Sequence, residues 1–360
     1  MTTNFNIIAC DGGGIRGLIT AILLNDLVSN PPPGSSSKIL NNVNLFAGTS
    51  TGAVIAIGLA SGLTPSSLVN LYENNCSNIF QPYTPSGTST LLARYPQASF
   101  DLCSWLPKGF CYVEYSNTGL YKLLSSTLNS ANVNPNNPLS SLSTGVLAVT
   151  LMMSNTNNDP WGPLALTNLP NSEYSGVAII DAAMCSSAAP MYFPPYAVPP
   201  PPAAAKMWCA DGGVVANNPS AFTLANVLES EILQKQNKTV SNVRMLSIGT
   251  GATIDYIPSN LINNVENDWG TGLWLFPASL PPEPAFPLMA AMFDGQAQTA
   301  HIEASNMLGS SKYQRANPTL TQTINLDDCS AVTALAGVAT AYVTSGEWVN
   351  IKKWVYANFV

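Results

Sequence analysis

The sequence predicts an α/β fold with a mostly parallel central sheet. Three observations carry that expectation. Short apolar runs recur without polar alternation, the pattern of strands covered on both faces. Those runs alternate with stretches of helical period. The chain is also large enough, at 360 residues and 46% apolar composition, to bury a substantial core.

Taken in order, "FNIIAC" (5–10) is a short apolar run stopped by glycines and reads as a buried strand. "IRGLITAILLNDLVSN" (15–30) places Ile15, Leu18, Ile19, Ile22 and Leu23 at helical spacing, and "PPPGSSS" (31–37) breaks it. "NVNLFAG" (42–48) is a second buried strand, and "TGAVIAIGLASG" (51–62) a helix of small residues ended by Gly62. "GVLAVTLMMS" (145–154) and "NVRMLSIGTG" (242–251) read as further strands, and 332–345 and 347–359 as amphipathic helices. Residues 194–206 form a stiff, proline-rich extended loop. No repeat or linker divides the chain, so 1–360 is expected to be a single domain. Residues 77–117 and 263–287, rich in Pro and aromatics, are candidate cover or rim segments.

Charged residues make up only 9% of the chain, against about 25% in ordinary soluble domains. The surface must therefore consist largely of Asn, Ser, Thr and Pro. A net charge of −7 argues against nucleic acid as a partner and against docking on anionic lipid through a basic patch. There is no targeting segment before residue 10 and no apolar run of 18 residues, so the expected location is cytoplasmic, with peripheral membrane association or export without a signal peptide left open. Seven cysteines show no C-x-x-C pair; Cys10, Cys185 and Cys209 are expected to be buried free thiols in a reducing compartment.

Three motifs bear on chemistry. "GTSTG" (48–52) sets Ser50 between a strand and a helix, flanked by Gly48 and Gly52, as a strained nucleophile elbow requires. "CDGGGIRGL" (10–18) lies where a strand meets a helix start, so its amides can approach an anion closely. Its Gly12, Gly14 and Gly17 also fit G-x-G-x-x-G, but no acidic residue ends a second strand about 20 residues later, as a dinucleotide site would need. "CADGGVVANNPS" (209–220) carries Asp211 on a glycine turn, where a carboxylate can be aimed at a hydroxyl. The one histidine, His301, follows Ser50 and Asp211 in the order of a Ser-Asp-His triad, so that arrangement stays open as a rival; its setting, "QTAHIEASNM", reads as a polar-faced helix.

Together "DGGGIRG", "GTSTG" and "DGG" resemble the patatin-like phospholipases, a family of lipid acyl hydrolases. "CSSAAPMYFPP" (185–195), "DGGVVANNP" (211–219), "LSIGTG" (246–251), the stretch 288–308 and "YQR" extend the likeness over almost the whole chain. The resemblance implies a three-layer α/β/α fold related to that of cytosolic phospholipase A2. It implies a serine esterase in which Ser50 is the nucleophile and Asp211 its base. Gly12, Gly13 and Gly14 would form the oxyanion hole, with Arg16 bracing that loop. It implies membrane glycerolipid as substrate, peripheral membrane contact, and no metal or other cofactor. Two alternatives accompany this reading: a broader esterase or galactolipid/acylglycerol hydrolase at the same site, and a non-catalytic lipid- or nucleotide-binding module. An aspartate base works only if burial lifts its pKa or if the proton moves with the attack; the apolar neighbours of Asp211 predict a dry setting and a loss of activity in acid.

Overall fold

The computed structural model describes residues 4–35, 38–84, 112–155, 159–198, 207–253, 274 and 287–359. Most of both candidate cover segments and of the 194–206 loop therefore falls outside the described residues.

The strands are β1 (Phe5–Cys10), β2 (Leu45–Thr49), β3 (Gly145–Ser154), β4 (Gly162–Thr167), β5 (Tyr196–Val198), β6 (Met207–Asp211), β7 (Val243–Ile248) and β8 (Tyr313–Ala316). The helices are α1 (Gly17–Ser29), α2 (Thr51–Ala60), α3 (Pro65–Ile79), α4 (Asn117–Ser130), α5 (Ile179–Ser186), α6 (Gly213–Ala216), α7 (Ser220–Glu229), α8 (Ile232–Lys235), α9 (Pro287–Leu308), α10 (Val332–Val343) and α11 (Gly346–Asn358). One sheet runs β5-β6-β3-β2-β1-β7-β8, and β4 also pairs with β3. The β3-β2-β1-β7-β8 pairs are parallel, whereas β4, β5 and β6 join antiparallel at one end.

Successive residues of the inner strands point to opposite faces. Ile8, Cys10, Phe46, Val146, Ala148 and Leu246 enter one core, under α1–α5, α10 and α11. Phe5, Ile7, Ala9, Leu45, Ala47 and Met245 enter a second, under α7–α9. Both faces are thus covered, which is why these strands are apolar without alternation and why the architecture is a three-layer α/β/α sandwich.

The second strand starts later than its apolar run suggests, at Leu45 rather than 42. Residues Ile39–Asn42 coil into a 3-10 turn. Asn44 accepts the Asn6 N–H on its side-chain oxygen at 2.7 Å, where a strand would accept it on a backbone carbonyl, and its own N–H donates to the Asn6 carbonyl at 2.8 Å.

The register of β3 decides where the site falls. Residues 147–152 pair with β4 along one edge. On the other edge 145–149 pair with β2, and the rest of the strand, from Thr150, with β6 running the opposite way. Thr49, the last residue of β2, lies opposite Val149, and Asp211, the last of β6, lies opposite Thr150. Two strands distant in sequence therefore end head to head on one edge of β3.

Candidate active site

Ser50 follows β2 and opens α2. Its φ of 54° and ψ of −123° put it in a conformation that L-residues rarely adopt, as an elbow demands. Glycines on either side permit it. A Cβ at Gly48 would lie 2.0 Å from the Gly52 carbonyl oxygen, and one at Gly52 would lie 2.1 Å from that of Cys10. The Ser50 N–H donates to Ser186 Oγ at 2.8 Å, and Ser186 donates in turn to the Val149 carbonyl at 2.5 Å. The elbow is thereby pinned to the end of α5.

Asp211 ends β6 in the core of the site, where its carboxylate borders the same cavity as Ser50. The Gly213 N–H donates to its Oδ1 at 2.6 Å. Desolvation raises its pKa to about 7, against the opposing pull of the nearby Ser50 hydroxyl and the Gly213 N–H. The dry setting expected from its neighbours is present: Asp211 is 5% exposed, with Cys209 and Ala210 buried behind it.

The glycine-rich loop leaves β1 beside them. The Gly12 N–H is already spent on the Asn217 carbonyl at 2.9 Å, and the Ile15 N–H on the Leu326 carbonyl at 2.7 Å. The N–H groups of Gly13 and Gly14 have no such partner among the described residues. Gly12 therefore anchors the loop instead of offering its amide. Glycine is required at all three positions by contact: an added Cβ would meet Asn217 Oδ1 at 2.3 Å, Thr250 Oγ1 at 2.2 Å and the Leu326 carbonyl oxygen at 2.2 Å, respectively. Gly14 also has a φ of +58°. The Thr250 hydroxyl donates to the Gly12 carbonyl at 2.8 Å, and Arg16 Nε reaches the Gly13 carbonyl at 3.4 Å.

One element of this site is not legible in the motifs. Asp11, at the head of the glycine loop, is buried and paired with Arg315 of β8 through two contacts, 2.6 and 3.2 Å long. Arg315 also donates to Ser247 Oγ at 2.7 Å. Desolvation raises the Asp11 pKa while the guanidinium pulls it down. Both residues sit in quoted motifs, "DGGG" and "YQR", but 304 positions separate them and nothing local couples them. Ser186, Asn217 and Thr250 were likewise hidden, since their contacts cross between elements.

His301 lies on α9, half-buried. Its Nδ1 is 3.1 Å from the Tyr313 hydroxyl, and no hydrogen bond joins it to Ser50 or Asp211 among the described residues. Burial and the nearby Arg315 lower its pKa. His301 thus pairs with Tyr313, and the triad geometry left open by the order Ser50, Asp211, His301 is not formed among the described residues. Ser50, Asp211, Gly13, Arg16 and His301 all border one cavity of about 880 Å³, which Met289, Met292 and Phe293 of α9 close on the apolar side.

The motifs that build this site fall within a stretch that the model of a known family matches. The family model described as Patatin-like phospholipase matches residues 8–222. A cGAMP-activated phospholipase of Vibrio cholerae serotype O1 is 30% identical over 277 residues, covering 74% of this chain and 70% of that protein. A second of that name, from Escherichia coli, is 29% identical over 255 residues, 68% of this chain and 61% of that one. Among solved structures, human GIVD cytosolic phospholipase A2 is similar with a TM-score of 0.39 and 13% identity, over 99% of this chain and 63% of that chain. The elbow, the glycine loop and the buried aspartate thus lie within or beside the matched span, and the chain belongs to the patatin-like phospholipase family, a family of lipid hydrolases.

Proposed function

We propose that the protein hydrolyses fatty acyl esters of glycerophospholipids through a Ser50–Asp211 dyad and an acyl-enzyme. The observation that carries this reading is that β2 and β6 end head to head on β3, which sets Ser50 beside a buried carboxylate whose pKa desolvation raises to about 7. A base near neutrality is half ionised at working pH and accepts a proton far better than an ordinary aspartate. The phospholipid substrate is carried over from the relatives named as phospholipases.

In the first half-reaction Ser50 Oγ bonds to the ester carbonyl carbon as its proton passes to Asp211. The carbonyl oxygen becomes an oxyanion beside the Gly13 and Gly14 N–H groups; loss of one such donor costs on the order of 10²–10³ in rate. The carbon–oxygen bond to the alcohol then breaks, and Asp211 returns the proton to the departing lysolipid or alcohol. In the second half, water gives its proton to Asp211 and its oxygen to the acyl carbon. Fatty acid leaves, and Ser50 Oγ recovers the proton. The aspartate makes both proton transfers that the histidine makes in a triad. A phospholipid substrate brings the enzyme to a lipid surface; no single helix among the described residues is long and apolar enough to cross a membrane.

Covalent labelling by an alkyl fluorophosphonate tests the reading. Wild-type protein and His301→Ala are expected to label, and Ser50→Ala is expected not to. With phosphatidylcholine vesicles, mass spectrometry should find free fatty acid and lysolipid. An unlabelled wild type would refute an enzyme at Ser50 and favour the binding module. Loss of labelling in folded His301→Ala would reinstate the histidine as base. Release of fatty acid from galactolipid or acylglycerol but not from phospholipid would move the substrate to the broader esterase class.

A further inference from the structure

The turn that follows Asp211 is a meeting point. α6 is one helical turn of 4 residues, Gly213–Ala216, with Asn217 as its C-cap. Its first residue gives its N–H to Asp211 Oδ1 at 2.6 Å. The carbonyl of its last residue, Ala216, accepts the hydroxyl of Thr49, the neighbour of Ser50, at 2.6 Å. The Asn217 carbonyl accepts the Gly12 N–H at 2.9 Å. The aspartate, the elbow and the glycine loop are thus each tied to the same short turn.

A turn of this length holds itself poorly, since its end groups lack helical partners. The bond that would close it runs from the Asn217 N–H to the Gly213 carbonyl. A side chain of α9 stands between those two groups instead. Gln296 Oε1 accepts the Asn217 N–H at 3.1 Å. Gln296 Nε2 donates to the Gly213 carbonyl at 2.8 Å and, at 3.4 Å, to that of Val214. A carboxamide offers an acceptor and a donor side by side, which is what the opened turn requires. Beside it, Asn218 Nδ2 donates to the Ala297 carbonyl at 3.1 Å and seats the same stretch on α9. Gln296 lies 83 positions from Gly213, and no local pattern links them.

We propose that Gln296 is a positioning residue for the acyl transfer. By spanning the α6 turn it aims the Gly213 N–H at Asp211 and fixes the Asn217 carbonyl that anchors the glycine loop. Gly213 is held at its N–H by the carboxylate and at its carbonyl by Gln296, so releasing one end loosens the other. This inference rests on Asp211 being the base.

The effect reads out on that base. A hydrogen bond to a carboxylate favours its ionised form, so a weakened Gly213 contact raises the pH at which Asp211 works. Asp11, Arg16, Asp294, His301, Arg315 and Glu347 border the same cavity, with the phenols of Tyr192 and Tyr313. Behind Asp211 lie the buried thiols of Cys185 and Cys209. All of these groups remain when Gln296 is replaced, so a displaced acid limb reports the lost positioning.

The test compares wild type with Gln296→Met, which keeps the side-chain length and loses every hydrogen bond. kcat and KM for p-nitrophenyl butyrate are followed across the acid limb, with fluorophosphonate labelling and a melting curve for each protein. In the folded variant kcat should fall by roughly 10²-fold with KM little changed, the cost of a small misplacement remote from the chemistry. The acid limb of kcat/KM should move to higher pH by about one unit, the worth of one hydrogen bond to a charged group. An acid limb that superimposes on that of wild type overturns the assignment whatever the fall in kcat, and leaves the dyad intact. A wild type that does not label, or whose profile is flat in acid, removes the base and overturns the dyad and the positioning residue together. Should Gln296→Met not fold, Gln296→Asn, one methylene too short to meet both groups, decides by the same profile.

Discussion

Asp211 is where burial and chemistry meet most directly. Its pKa of about 7 is set first by desolvation, so its charged form is costly to the folded protein and useful to the reaction. Activity should therefore fall about tenfold per pH unit below about 7 as the carboxylate takes up a proton; a kcat/KM profile that stays flat down to pH 5 would refute an aspartate base. The same shift has a stability consequence of opposite sense. A folded pKa raised from 3.8 to about 7 means that the native state holds a proton the unfolded chain has released, so stability drops as pH rises between those values. Asp211→Asn removes that penalty. It should abolish turnover yet raise the melting temperature, by a margin that grows from pH 4 to 7 and then levels off, on the order of 4 kcal/mol at most. Arg315 presents the complementary case. Arg315→Met leaves Asp11 buried without its partner and should cost about 3–5 kcal/mol in urea unfolding at pH 7; adding Asp11→Asn should recover much of that loss.

At the scale of elements, the site depends on three chain reversals packed to contact. The elbow, the glycine loop after β1 and the Asp211 turn all sit at strand ends; an added Cβ would meet backbone at Gly14, Gly48, Gly52 and Gly212, and the Asn217 and Thr250 side chains at Gly12 and Gly13. Gly52→Ala forces a Cβ to within 2.1 Å of the Cys10 carbonyl oxygen, so α2 can no longer close on β1; fluorophosphonate labelling should be lost, with a marked fall in stability. Gly62 makes the contrast. Its φ of +89° disfavours a side chain, but nothing lies within 4 Å of the added Cβ. Gly62→Ala should cost only about 1 kcal/mol and leave labelling unchanged. These two glycines stand near the start and at the end of one sequence run, 51–62, and their surroundings separate them. Local motifs could nominate the elbow and the glycine loop because their requirement is local. They could not distinguish Gly12, whose amide is consumed by Asn217, from Gly13 and Gly14, whose amides are not.

Over the whole molecule, distant segments are fastened in pairs. The Cys76–Cys329 disulfide spans 253 residues, tying α3 to the chain that crosses the glycine loop before α10. No spacing pattern announces it, and it departs from the reducing setting expected from the cysteine pattern, since such bonds persist mainly under oxidising conditions. Cys10, Cys185 and Cys209, by contrast, are buried free thiols as expected. Cys76→Ser with Cys329→Ser, or reduction of the wild type, should lower stability by about 2–5 kcal/mol, read as a drop in melting temperature. An unchanged melting temperature would mean that the unfolded chain is not restrained by the bond.

Several things were fixed by sequence alone. Continuous apolar runs gave strands β1 and β3 to the residue and located β7, which ends at Ile248, three residues before its expected end, because burial on both faces leaves its mark in every position. Helical spacing gave α1, α10 and α11. Glycines flanking Ser50 and following Cys10 and Asp211 marked the turns. Tertiary structure alone decided the rest: that β6 runs antiparallel and ends against β2 on one edge of β3, that Ser50 therefore reaches Asp211, that Asp11 finds Arg315, and that His301 turns to Tyr313. The physical reason is one of range. Periodicity and turn chemistry are enforced between near neighbours and so are written locally, whereas strand order and register are settled by which faces the whole sheet can bury.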